Sequence, residues 1–119
     1  MTKEEMLQEN LARIASELFR FEKTLKKAIS KLEIEEQAKY ASQLAWFSKK
    51  VNQALEDSGL HLISLEGQMY DAGMAVTPLN IDEFKPEDKL FVEQTITPII
   101  MSENTVYKTG TVILGRLNS

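Results

Sequence analysis

The stretch LQENLARIASELFRFEKTLKKAISKL, residues 7–32, places Leu7, Leu11, Ile14, Leu18, Phe21, Leu25, Ala28 and Leu32 at alternating intervals of four and three. No polar residue falls on the stripe. That rhythm is the a/d repeat of a helix packed along its length against other helices. A helix holding it extends roughly 40 Å at ~1.5 Å per residue. Thr2 stands three residues before Glu5, the spacing of a capping box, and Glu4 and Glu5 suit the positive end of the helix dipole.

Beyond Leu32 the four-three rhythm lands on Glu35, Lys39 and Ser42, which are polar. A new stripe opens instead at Tyr40, Leu44, Phe47, Val51 and Leu55. No Gly or Pro interrupts the chain here, so a continuous helix remains compatible with composition. The charges favour a break: Lys26, Lys27 and Lys31 precede the junction and Glu33, Glu35 and Glu36 follow it, as helix ends of opposite polarity require. The spacing therefore predicts a helical hairpin with a tight turn near 32–34, closed by Ser58-Gly59, where Gly suits the left-handed position after a helix.

Two amphipathic helices bury little surface alone. Leu7, Leu11, Ile14, Leu18, Phe21 and Leu25 on the first helix, with Leu44, Phe47 and Val51 on the second, are expected to pair two copies into a dimeric four-helix bundle.

After Gly59 the character changes to short β-branched runs punctuated by Gly and Pro. The expected organisation is α+β: a helical dimerisation region over 1–59 and a small all-β domain, an antiparallel sheet or open barrel, over 60–119. Strands are predicted at 60–65, 74–79, 89–100, 105–108 and 111–117. Pro98 marks an edge or a bulge in the longest, because it lacks a ladder donor. A β part of about sixty residues is only marginally able to hold its own core.

Charge is unevenly spread. Residues 1–33 hold seven Lys/Arg and six Asp/Glu, whereas residues 56–103 hold only Lys85 and Lys89 against ten acids. An acidic β part repels the phosphates of nucleic acid. The basic face of the first helix (Arg13, Arg20, Lys23, Lys26, Lys27) is interleaved with Glu17 and Glu22, as in a solvated helix. No run approaches membrane-spanning length and the polar start is unlike a signal peptide, so a cytoplasmic protein without membrane association is expected.

The chain has no cysteine and one histidine, His61. A metal centre, a disulfide or a nucleophilic triad finds no partners in such a set. Asp82, Glu83, Glu87 and Asp88 lack the ligand spacing and Gly of a calcium loop, and the five glycines do not form a phosphate loop. Neither catalysis nor a cofactor is expected. Met69 and Met74 flank Tyr70-Asp71, an adaptable apolar contact surface or ordinary core filling.

The order of these segments resembles the GrpE-type nucleotide exchange factors, dimeric co-chaperones of Hsp70-class (DnaK-type) ATPases. Residues 51–63, from Val51 through Gly59 to Ile63, look like the family's second bundle helix running into its first strand. Residues 69–76 (MYDAGMAV) look like its aromatic–Asp–Pro segment, with Ala72 at the usual Pro and no His. Residues 92–100, 104–108 and 110–114 look like its closing strands, with Pro98-Ile99-Ile100 in place of the usual Gly–aromatic pair. The resemblance implies a homodimer that binds the nucleotide-binding domain of an Hsp70/DnaK-like ATPase and promotes ADP release. It places partner contacts at Tyr70, Asp71, Met74, Val106 and Lys108. The alternative is a dimeric structural or adaptor protein that presents its β modules to a non-chaperone assembly.

Overall fold

The computed structural model describes residues 1–117. Helix α1 (Lys3–Ser30) begins at Thr2, whose hydroxyl accepts from the Glu5 amide at 3.1 Å and donates to the Glu5 carboxylate at 3.0 Å. Helix α2 spans Ile34–Asp57. In the tight turn between them, the Lys31 and Leu32 amides donate to Ala28 and Ile29, the Ser30 hydroxyl to Lys27, and a side chain from α2 takes the next carbonyls. The Gln37 amide donates to the carbonyls of Ser30 at 3.1 Å and Leu32 at 2.7 Å. Gly59 takes a left-handed φ of 80° and its amide donates to Glu56, so α2 ends as its sequence predicts.

Two compact units divide between His61 and Leu62. In the first, the helices run antiparallel and the Ser48 hydroxyl donates to the Glu22 carboxylate across the pair. That register sets Ala15 opposite Leu55. Ala12, Ala15, Leu44 and Leu55 are the buried apolar residues of the two helices. The small alanines let the helices approach and draw the seam to their side of α1. Leu11, Leu18 and Leu25 become half-buried, whereas Leu7, Ile14 and Phe21 stay exposed.

The second unit is built on a bent β ribbon. Strands β1 (Leu60–Ile63), β2 (Val76–Pro78), β3 (Leu90–Thr97), β4 (Ile99–Ser102), β5 (Thr105–Lys108) and β6 (Gly110–Arg116) form two three-stranded sheets, ordered β1-β4-β5 and β2-β6-β3. This corrects the expectation of one antiparallel sheet or barrel, since β2 lies parallel to β6 while β3 lies antiparallel to it. The single strand expected over 89–100 is also corrected. Pro98 is fully buried at the point where the ribbon leaves one sheet for the other, not at an edge; the other expectation, a bulge, is met by the register shift between Thr95 and Thr97 just before it. Opposite it, a Cβ on Gly110 would lie 2.9 Å from the Thr97 carbonyl oxygen and 3.1 Å from the Ile99 nitrogen, so only Gly fits the bend. The Thr97 and Thr111 hydroxyls bond across it at 2.6 Å.

The core of the β2-β6-β3 sheet is Leu90, Val92, Val112 and Leu114, with Leu65, Tyr70, Met74, Val76 and Phe84 packed against it. Beyond the short β2, Asn80 extends the pairing with its side chain: it donates to the Leu114 carbonyl and accepts from the Leu114 amide, both at 2.9 Å. A 3-10 turn, Ile81–Glu83, follows immediately.

Candidate partner surfaces

An antiparallel helix pair has a local twofold axis normal to its broad face, so equivalent positions on the two helices emerge on the same side. Leu7, Ile14 and Phe21 each precede by one residue the row that contains Ala15 and Glu22; Phe47 precedes Ser48, and Tyr40 lies seven residues before Phe47. These five side chains therefore share one face of the hairpin. They are 59%, 56%, 58%, 41% and 39% exposed in the single chain. The hairpin thus carries a row of exposed large apolar side chains on that face. Of the other stripe residues, Leu44 is buried in the seam and Val51 half-buried.

On the other side, near the turn, lies a groove of about 810 Å³ walled by Ile29, Ile34, Ala38, Ala41 and Ala45. Trp46 is 63% exposed, with the Lys50 ammonium 5.5 Å from its ring centre. The sequence rhythm does not single out either feature, because both fall off the main stripe.

In the β unit, the five residues singled out by resemblance fall in two places: three in the loop before β2 and two on β5. Tyr70 and Met74 are half-buried against the β2-β6-β3 core. Asp71 is exposed, and its carboxylate caps its own turn by accepting from the Gly73 amide at 2.9 Å. Val106, 46% exposed, and Lys108 lie on β5, at the edge of the other sheet. Tyr70 also lines a groove of about 510 Å³ whose further walls include Met69, Ile81, Phe84, Lys85 and Lys89. Sequence reading misses this groove, because its walls come from two loops flanking β2 and meet only on folding. The local signals were Met69 beside Tyr70 and the two rare cations, Lys85 and Lys89, of an acidic stretch.

The groove is held by fixed geometry. The Tyr70 amide donates to Leu90 at 2.9 Å, and Met69 bridges Phe91. The Asp88 carboxylate accepts from the Lys85 amide at 2.8 Å and pairs with Arg116 at 3.3 Å. The Arg116 guanidinium lies 5.9 Å from the Phe84 ring centre.

His61 lies exposed on β1. Among the described residues no three acidic or histidine side chains gather in a metal-binding group, and no helix is long and apolar enough to cross a membrane. Among the described residues the features on offer are largely apolar: one face and one groove of the hairpin, and one groove in the β unit. No family model, curated protein or solved structure matches the chain.

Proposed function

We propose that the chain is a homodimeric protein without enzymatic activity that binds the nucleotide-binding domain of an Hsp70/DnaK-like ATPase and accelerates ADP release. The observation that carries the dimer is the row Leu7, Ile14 and Phe21, joined by Tyr40 and Phe47, which the hairpin's own seam leaves in water. A second copy placed face to face covers all five and completes a four-helix bundle. The choice of an ATPase as partner rests on the sequence resemblance. The order of a helical hairpin, a left-handed Gly59 and a small β unit supports it.

Exchange of this kind is mechanical. A protein that binds the open form of an ATPase more tightly than the closed form shifts the partner toward opening, by no more than the difference in its two affinities. A hundredfold faster release needs about 2.7 kcal/mol of that difference. The β unit supplies the contact, through Tyr70, Asp71 and Met74 in the loop that precedes β2 and Val106 and Lys108 on β5. The Asp71–Gly73 hydrogen bond and the packing of Tyr70 and Met74 on the sheet core hold that loop in place before any partner binds.

The test is release of fluorescent ADP from a DnaK-type ATPase of the same source organism, followed by stopped flow with and without the chain. Release accelerated at least tenfold, and abolished by placing carboxylates at Val106 and Lys108 (V106E with K108E), supports the reading. Unchanged release with a correctly folded dimer contradicts it and favours the adaptor alternative.

A further inference from the structure

The described β unit carries four cationic side chains, Lys85, Lys89, Lys108 and Arg116, against eight carboxylates. Their placement is not random. Lys85 and Lys89 both line the groove beside Tyr70, and Arg116 stacks at its edge on Phe84. The floor between them is apolar, formed by Met69, Tyr70, Ile81, Phe84 and Leu90, and two of these, Met69 and Ile81, are 52% and 41% exposed. The one carboxylate in the wall, Asp88, is engaged by Arg116 and the Lys85 amide. Asp82, Glu83 and Glu87 belong to the same loop but do not line the groove. Three of the four cationic side chains of the described β unit therefore gather around its exposed apolar recess.

We infer that this groove is a docking site for a partner-protein segment bearing one large apolar side chain flanked by carboxylates. The apolar side chain enters between Tyr70 and Phe84, and the carboxylates meet the ammonium groups of Lys85 and Lys89. Neither lysine side chain is held in an ion pair among the described residues, so both are available to an incoming acid. Complementary charge at the rim selects the partner, and the apolar floor supplies the contact energy. The clamps at Asn80 and Asp88 fix the loop in advance, which lowers the ordering cost of binding. Outside the groove the described unit carries one further cation, Lys108, against seven carboxylates, which disfavours an acidic segment there.

The inference does not depend on nucleotide exchange: a chain inactive toward an ATPase can still bind such a segment, and the reverse also holds. The probe is the peptide acetyl-Asp-Phe-Asp-amide, titrated into the full ¹⁵N-labelled chain, with acetyl-Lys-Phe-Lys-amide as comparison. The expected result is saturable shifts confined to the amides of Tyr70, Phe84, Lys85, Lys89 and Leu90 with the acidic peptide, and binding weaker by about tenfold or more with the basic one. The double variant K85E/K89E, with an unshifted Leu114 amide to show an intact core, is expected to reverse the preference. Equal affinity for the two peptides overturns the inference, as do an unchanged preference in the variant, shifts centred on the hairpin, or no saturable shift.

Discussion

Replacing Asn80 with Ala removes two hydrogen bonds from one buried residue. Leu114 is 1% exposed, and both its amide and its carbonyl are satisfied by the Asn80 side chain at 2.9 Å. Each such bond contributes about 1 kcal/mol net, and a buried group left without a partner costs about 1–3 kcal/mol. The expected loss for Asn80→Ala is about 2–4 kcal/mol. A unit of about sixty residues holds only about 3–9 kcal/mol in total, so this single change removes a large part of its stability. Asn80→Asp separates the two bonds. The carboxylate still accepts from the Leu114 amide but now faces the Leu114 carbonyl, which raises its folded pKa above the unfolded value of about 3.9. Protonation restores the donor, so this variant should approach wild-type stability below pH ~4 and lose that recovery as pH rises through the folded value. Urea unfolding at pH 3.5 and pH 7, with hydrogen exchange at Leu114, reads both effects. A loss below about 0.5 kcal/mol for the Ala variant, or an Asp variant that gains relative stability as pH rises, refutes the clamp.

The bend at Pro98 gives a second prediction. Gly110→Ala drives a methyl group into backbone atoms at 2.9–3.2 Å and should cost about 1–3 kcal/mol in urea unfolding. Gly115→Ala meets the Phe91 ring and the Glu93 carboxylate, side chains that can move aside, and should cost less; the opposite order would show that the bend tolerates a side chain. In the hairpin, Ile14→Glu with Phe21→Glu should yield monomers by gel filtration with helicity retained, because both positions lie outside the seam. Leu18→Glu with Leu25→Glu, in half-buried positions, should lose helical circular dichroism as well. If both pairs of variants behave alike, the division of the stripe into inner and outer rows is wrong.

The hairpin was legible in sequence because its signals are local. Thr2, the charge reversal around Leu32 and Gly59 each act within a turn of the chain. The division of the stripe was not legible, since it follows from which side of α1 the small Ala12 and Ala15 present to α2. The β unit was legible in its strand positions and less so in its pairing. The β2–β6 parallel contact joins residues more than thirty apart, and a three-residue strand carries no period from which to read it. Pro98 announced an interruption, but whether it bounds an edge or passes the chain between sheets depends on Gly110, which lies in another strand. Asn80 reads locally as a turn former after Pro78-Leu79. Nothing nearby in sequence shows that its amide serves Leu114. The groove follows the same logic: Lys85 and Lys89 stood out as the rare cations of an acidic stretch, yet their apolar floor is assembled from both sides of β2.

Pairing through the exposed face of the hairpin is the central claim. Sedimentation equilibrium at micromolar concentration tests it directly: the account predicts twice the mass of one chain. A single-chain mass for a protein with full helical and β circular dichroism would contradict it.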